Sequence, residues 1–391
     1  MSAETMALDC PRAESCGGCA YRGIPYEEQL DIKNRFVLEC LAVNGIRCGE
    51  YQGVVPPPLT EGYRNKMEYS FGDEVKDGPM NLGLHRKKSY LSVINTPGCL
   101  IVPDDFNLIR DETLLYMSGL VHGHYRKRFH SGFLRNLVLR RGENTGEILV
   151  NLITSGEEEL DGAAFRDFIL GLSVSGEVAG ILHTVYTGKA DKAGRDFTRV
   201  LYGRGHYFEE MLGLKFKVNA FSFFQTNTAA VEAMFKSAFS MIPELNGKEA
   251  LDIYCGAGAI SLAIAKSAAH VTGIEIVSDS VVAAKENAEL NGMDNCDFLE
   301  GDALEMMEGL RVVPDFVCVD PPRMGMHPRA LKKLISYNLP EILYISCNPK
   351  TFSENAAVFQ ENGYRVDSLR AFDNFPFTRH IELAGRIVRG K

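Results

Sequence analysis

The feature that most constrains the fold is a change of period after about residue 215. From there, strand-like and helix-like segments alternate. The pattern predicts strands over Glu249–Tyr254, Val271–Ile276, Asp315–Asp320 and Ile342–Ser346, with helices over Ala257–Ala269, Ser278–Asn291 and Arg329–Ser336. Parallel strands need a crossover between them, and a helix of roughly 10–15 residues supplies one, so the alternation predicts a parallel, doubly wound α/β sheet of Rossmann-like type. Ser278 is the expected N-cap of the second helix and Asn291-Gly292 its stop.

Upstream the pattern differs. Between Tyr63 and about Leu214, short β-type runs such as Leu137–Arg140, Ile148–Ile153 and Ile181–Tyr186 are broken by glycine turns, which predicts an α+β, mainly antiparallel domain. Tyr26–Val43 reads as a helix with Leu30, Val37 and Leu41 on one face, and Pro56-Pro57-Pro58 as a rigid linker. Three segments follow: a loop and helix over 1–58, a central α+β domain over 59–214 and the Rossmann-like sheet over 215–391. Met1–Asp9 lacks the basic start and apolar run of a signal peptide, and no apolar run reaches the roughly 18 residues of a membrane span. The expectation is a soluble cytoplasmic chain with no membrane and no obligate protein partner.

Strand tips of such a sheet carry its chemistry. The first strand runs out through Asp252-Ile253-Tyr254-Cys255-Gly256-Ala257-Gly258 into a helix, so glycines let the backbone approach a ligand beside free helix N–H groups. Glu275 ends the next strand, seventeen residues after Gly258, where a carboxylate can accept from a ribose diol. Asp302 follows the third strand, within reach of an adenine or amino group. Together they predict a nucleoside cofactor. Asp320-Pro321-Pro322-Arg323 at the fourth tip favours S-adenosylmethionine over NAD, because an acid and two stiffening prolines suit a site of methyl transfer.

Cys347-Asn348-Pro349 follows the fifth strand, so Cys347 shares the rim with Gly256 and Asp320, whereas Cys255 and Cys318 read as small buried hydrophobes. A methyltransferase needs a thiol where the accepting carbon is a poor nucleophile, as C5 of uracil is: a thiolate added to C6 creates the enolate that attacks the methyl. A base must then take the C5 proton. Glu382, in Phe375-Pro376-Phe377-Thr378-Arg379-His380-Ile381-Glu382, is the candidate, with His380 as fallback and a surface acid on a final strand as the bland alternative.

Taken together, the Asp-Pro-Pro-Arg tip, the Ser346-Cys347-Asn348-Pro349 turn, the Phe-Pro-x-Thr-x-His-Ile-Glu run and Phe223-Phe224-Gln225-Thr226-Asn227 resemble the RNA uracil-C5-methyltransferases. The resemblance covers the chain from about Cys10 to Glu382. It implies Cys347 as nucleophile, Glu382 as proton acceptor, and S-adenosyl-L-methionine contacts at Gln225, Tyr254, Glu275 and Asp320, with Gly256 and Asp302 beside them. Three of ten cysteines crowd into residues 10–19, a spacing that suggests a metal or cluster rather than disulfides. Cys10, Cys16 and Cys19, with distant Cys99, resemble the [4Fe-4S] loop of the ribosomal-RNA branch; zinc is the physical alternative, and Cys40 and Cys48 fall outside the pattern.

Many family members begin with a small β-barrel RNA-binding domain, whereas here the cysteine motif starts at residue 10. RNA affinity is therefore expected from the central domain and the catalytic cleft. The net charge of −9 argues mildly against nucleic acid. Within it, His122–Arg141 holds six Lys/Arg, three His and no acid, and His85-Arg86-Lys87-Lys88 is a second basic point. The expected partner is 23S rRNA, alternatively tRNA. An amino-group methyltransferase, which would need no nucleophilic cysteine, a radical enzyme, whose tight cysteine spacing is missing, and an inactive RNA-binding protein are the competing readings.

Overall fold

In the computed structural model, residues 10–390 apart from 121, 191, 192 and 311 are described; the Met1–Asp9 reading lies outside them. Helix α1 (Tyr26–Val43) has the predicted bounds and ends at Asn44, with Gly45 at φ 63 permitting the turn that follows. Its buried stripe is Gln29, Lys33, Val37 and Leu41, an i,i+4 series that is half polar; Leu30 is only half-buried. Strand β1 (Cys48–Val55) then pairs with a strand more than three hundred residues away.

The central domain is a seven-stranded sheet in the order β4-β3-β2-β5-β6-β7-β8, built from β2 (Lys66–Asp73), β3 (Met80–His85), β4 (Val93–Asn95), β5 (Leu134–Arg141), β6 (Glu147–Thr154), β7 (Glu177–Val185) and β8 (Phe197–Gly203). Every neighbouring pair is antiparallel except β6 and β7, which are parallel because α3 (Gly162–Leu170) crosses between them. Phe165 and Ile169 of α3, with Phe106, Ile109 and Met117 of α2 (Asp104–Ser118), pack on Tyr69, Leu137, Leu139, Val150 and Leu152 of one face. Leu149 and Leu182 of the other face share a core with the ribbon β9 (His206–Met211) and β10 (Leu214–Asn219), with α4 (Thr228–Phe239) and with the C-terminal sheet.

That second sheet has eight strands in the order β1-β16-β17-β15-β14-β11-β12-β13. Strands β11 (Glu249–Ile253), β12 (His270–Glu275), β13 (Cys296–Glu300), β14 (Phe316–Val319) and β15 (Glu341–Ser346) are parallel, with α5 (Ala259–Ala265), α6 (Ser278–Leu290), α7 (Ala303–Gly309) and α8 (Pro328–Ser336) as crossovers. The expected wholly parallel sheet is in fact mixed. After α9 (Pro349–Glu361) and β16 (Tyr364–Phe372), a loop without a helix turns the chain back, so β17 (Glu382–Arg389) inserts antiparallel to both β15 and β16. Two helices also differ from expectation at their ends. Val277, not Ser278, precedes α6 and makes no side-chain cap, and α5 is shorter than predicted at both ends. Among the described residues no helix is long and apolar enough to cross a membrane.

Candidate active site

The antiparallel return of β17 has a chemical consequence: the strand begins at the rim where the parallel strands end. Its first residue, Glu382, therefore stands among their tips.

On one side of the rim, Tyr254, Gly256 and Gly258 follow β11 with φ of 70, 55 and 86. The glycines adopt this conformation freely, whereas Tyr254 carries backbone strain of the sort held at functional sites. Tyr254 and Cys255 N–H groups both donate to Ile274 O, at 2.9 and 3.0 Å. A Cβ on Gly258 would lie 3.2 Å from the Ala284 Cβ and 3.3 Å from the Phe298 ring, so this position also demands close packing. Glu275, at the tip of β12, accepts from Gly256 N at 3.1 Å and from Val277 N at 2.8 Å, which locks the turn against its neighbour and leaves a lone pair on each oxygen. Asp302 is an exposed N-cap of α7, accepting from Leu304 N at 2.9 Å. Burial, then the charge of Asp302, push the Tyr254 hydroxyl up to about 12. Beneath the turn lies a group that sequence reasoning passed over. Asp252 is buried, receives the Ser261 hydroxyl at 2.6 Å on one oxygen, and has no partner among the described residues on the other. Burial first, and the charges of Asp320 and Glu275 with it, push it up to about 7 against the opposing Ser261 bond.

On the other side, Asp320 N donates to Ile253 O at 3.2 Å, and burial pushes its carboxyl up to about 6. The Asn348 amide donates to Arg323 O at 2.9 Å, tying the Ser-Cys-Asn-Pro turn to the Asp-Pro-Pro-Arg tip, while its oxygen caps α9 through Lys350 N at 3.2 Å. Arg323 reaches His380 Nδ1 at 2.8 Å. Burial, followed by the charges of Arg323, Lys33 and Arg64, holds His380 below the usual imidazole range, so it accepts from Arg323 as a neutral ring. Ser346 pairs with Leu383 at the end of the β15–β17 ladder, so Cys347 and Glu382 each lie one residue beyond it, near enough for the charge of Glu382 to act on the thiol. Burial, then Glu382 and Asp320, push the Cys347 thiol up to about 11, with Arg323 opposing. Burial, then Asp320, push Glu382 up to about 8, again against Arg323.

The loop between β16 and β17 is clasped from the N-terminal segment, which sequence reasoning did not anticipate. Asp373 accepts from Lys33 Nζ at 2.5 Å and from the Tyr26 hydroxyl at 2.9 Å, and both Lys33 and Asp373 are buried. Phe377 N donates to Gln29 Oε1 at 3.1 Å, the Tyr63 hydroxyl donates to Pro376 O at 2.9 Å, and Arg22 stacks 4.1 Å over the Phe377 ring. The only forward signal was polar residues at core positions of α1. In the Phe-Phe-Gln-Thr-Asn run, Asn227 caps α4 and its amide donates to Asn374 O at 2.7 Å, so the same loop is held from there too. Gln225 is half-buried, and its carbonyl accepts from Asn65 Nδ2 at 3.3 Å.

All ten cysteines are free. Cys10, Cys16, Cys19 and Cys99 line one small cavity, with Cys40 and Cys48 outside it. Burial first, then Cys99, Cys16 and Cys10, push the Cys19 thiol up to about 12. Among the described residues, no group of three or more His, Cys, Asp or Glu side chains is drawn together as a metal site. The His122–Arg141 stretch is only partly the basic face expected from composition. Arg135 and Arg140 are buried: Arg135 donates to Tyr186 O, Gly188 O and Ala190 O at 2.8–3.0 Å, and Arg140 to Ser222 O at 2.6 Å. Arg141 pairs with Asp105, and Arg126 with Asp77, each at 3.0 Å.

The chain is similar to known RNA methyltransferases. The family described as tRNA (Uracil-5-)-methyltransferase matches residues 207–389. An uncharacterized RNA methyltransferase of Clostridium tetani is 40% identical over 373 residues, covering 95% of this chain and 82% of that relative, and one of Clostridium acetobutylicum matches to the same extent. The crystal structure of Pyrococcus abyssi tRNA (uracil-54, C5)-methyltransferase in complex with S-adenosyl-L-homocysteine superposes with a TM-score of 0.79 at 26% identity, over 95% of this chain and 86% of that one. The chain belongs to the S-adenosylmethionine-dependent RNA uracil-C5-methyltransferase family.

Proposed function

We propose that this protein methylates C5 of a uridine in 23S rRNA through a covalent bond between Cys347 and C6 of the base, resolved by Glu382. The reading rests on Cys347 and Glu382 lying at one strand edge, where the charges of Glu382 and Asp320 both act on the thiol. The carboxylates Asp252, Glu275 and Asp320 sit near one another at the strand tips, with Asp320 also near Glu382 and the Arg323 cation opposing at that end. An excess of negative charge suits a cationic ligand. S-adenosylmethionine, seated at Tyr254, Gly256 and Glu275 with Gln225, Asp302 and Asp320 around it, supplies an electrophilic methyl on a sulfonium. Cys347, once its thiol proton has passed to solvent, adds its sulfur to C6; the π electron pair of the C5–C6 bond moves to C5, which takes the methyl as the methyl–sulfonium bond breaks and S-adenosylhomocysteine leaves. Glu382 then accepts the proton from C5, and Cys347 leaves C6 as the C5–C6 double bond reforms. With its carboxyl pushed up to about 8, Glu382 in its ionised form can take that proton and return it to solvent.

The same reading assigns an iron–sulfur cluster to the four cysteines, because they line one cavity. In a [4Fe-4S] cube each thiolate serves a different iron, so the sulfurs surround a cavity instead of meeting at a point. Such a cluster would join the loop at Cys10–Cys19 to the segment at Cys99 and take no part in methyl transfer. Brown anaerobic protein that loses its colour in Cys16→Ser supports it; stoichiometric zinc without sulfide refutes it. The domain division at residues 58 and 214, and a cytoplasmic setting where RNA is modified, belong to the same reading.

The target is tested with 5-fluorouridine transcripts of 23S rRNA and of tRNA, incubated with S-adenosylmethionine. Fluorine on C5 cannot leave as the proton does, so the enzyme is trapped on its true substrate. The expected result is a band with the 23S transcript that survives denaturing electrophoresis and is missing with Cys347→Ala. Trapping on tRNA instead would establish a second reading, which the substrate named for the Pyrococcus abyssi enzyme favours.

A further inference from the structure

An open depression lies between the cysteine loop, the turn after β3 and the loop before β17. Arg86, Lys87, Lys88 and Arg379 line it beside the backbone of Gly17 and Gly18, and no carboxylate is among its lining residues. In a chain of net charge −9 this is a concentrated positive surface.

The four cations divide into two roles. Lys87 is built into the fold: its Nζ donates to Ala13 O at 2.6 Å and its backbone N–H to Ser15 O at 2.8 Å. The backbone of this turn is equally fixed. Cys16 bridges Arg86, and Gly17 N donates to His85 O at 2.9 Å, so near that a Cβ on Gly17 would stand 2.7 Å from the same oxygen. The side chains of Arg86, Lys88 and Arg379 are different. All three residues are exposed, and none of their charged groups makes a hydrogen bond or ion pair with another described residue. Lys88 keeps its side chain at φ 62, a backbone conformation glycine would adopt without strain. Arg379 adjoins His380, which Arg323 reaches, and stands three residues before Glu382, so one wall of the depression is carried by the loop that leads into the catalytic rim. A rigid backbone that presents unpaired cations beside an active site is suited to a chain of phosphates.

We propose that this depression carries the sugar–phosphate backbone of a single-stranded RNA segment next to the target uridine, with Arg86, Lys88 and Arg379 as phosphate contacts. The identity of the nucleic acid rests on the uracil-methylation reading; the anionic strand rests on the groove itself. A single strand is the form required, because a base modified at C5 from within an enzyme site must leave its stack.

The test measures binding of fluorescein-labelled oligouridine by anisotropy across a salt series, for the wild type, for Arg86→Ala/Lys88→Ala and for Lys332→Ala. Lys332 is exposed on α8 outside the depression and controls for loss of a surface cation elsewhere. Loss of each phosphate contact lowers the slope of log affinity against log salt by about 0.7 on a single strand, so the double variant should lose about 1.4 and bind about tenfold more weakly at low salt. Its S-adenosylmethionine affinity and its kcat at saturating RNA should match the wild type, with the defect confined to KM. Equal affinity and slope in the double variant and the wild type would overturn the proposal. A wrong uracil reading would look different: no adduct on 5-fluorouridine RNA, while oligouridine binding still depended on Arg86 and Lys88.

Discussion

Cys347 and Glu382 each lie one residue beyond the last rung of an antiparallel ladder, where Ser346 of β15 pairs with Leu383 of β17. The two residues come from different elements, with α9 and β16 between them in the chain, and only the reversed direction of β17 brings them to one edge. If the thiol attacks and the carboxylate resolves, the two variants fail at different steps. Cys347→Ala should lower turnover at least about a thousandfold and form no adduct, with S-adenosylmethionine affinity retained. Glu382→Gln should transfer the methyl once and stall, so that radiolabelled methyl migrates with a protein–RNA band under denaturing conditions. An inactive Glu382→Gln without that band would assign the carboxylate to positioning.

The buried Lys33–Asp373 pair holds α1 against the loop that leads to Glu382. Burial holds the Lys33 ammonium below its usual range, against the favourable charge of Asp373, so the pair is a strained resource that depends on both members. Lys33→Met leaves a buried carboxylate without its cation and should cost about 3–5 kcal/mol by chemical denaturation. Lys33→Met/Asp373→Asn should recover part of that loss. The single variant's surviving folded fraction should show a lower kcat with little change in S-adenosylmethionine affinity, since the loop and not the glycine turn is disturbed. A cost below about 1 kcal/mol would mean that Tyr26 and Gln29 hold the loop unaided.

Gly258→Ala tests the turn at the other end of the rim. At φ 86 an L side chain is strained, and its Cβ would press on Ala284 and Phe298 at 3.2–3.3 Å. Stability should fall by about 1–3 kcal/mol and S-adenosylmethionine affinity by at least about tenfold, because α5 would have to shift. Calorimetric titration giving wild-type affinity would remove this turn from the cofactor site.

These features were unequally legible in the sequence. Of the elements from β11 to β15, those given bounds in the sequence lie within a residue or two of them at most ends, because each is a short run bounded by its own turn, whereas β13 and α7 had no bounds read. The tips that carry Gly256, Glu275, Asp320 and Cys347 were readable for the same reason. The direction of β17 was not, since a strand's local pattern is the same whichever way it runs. Nor was the place of β1 beside β16, a pairing with no local signature. Charge counts misled in one region: Arg135 and Arg140 look like surface cations in sequence, yet each spends its guanidinium on buried carbonyls. Lys33 is the converse, a lysine on the buried stripe whose partner lies at the far end of the chain.

The last prediction concerns pH. Burial pushes Asp320, Asp252 and Glu382 up to about 6, 7 and 8. Each takes up a proton on folding at pH values between its unfolded and folded titration points. Their burial therefore costs nothing below about pH 4, and stability is lost as pH rises through about 6 to 8. Replacing Glu382 by Gln removes one ionisation, so that variant should gain thermal stability relative to the wild type between about pH 5 and 9 and match it at pH 4. The same ionisations leave negative charge at the rim, which favours a sulfonium over a neutral thioether. The preference for S-adenosylmethionine over S-adenosylhomocysteine should therefore widen from pH 6 to pH 8.5 in the wild type and widen less in Glu382→Gln. Isothermal titration at both pH values decides the matter. A ratio of affinities that stays constant with pH in the wild type would mean that these carboxylates do not face the sulfonium, and the charge of the site would then have to serve the uracil instead.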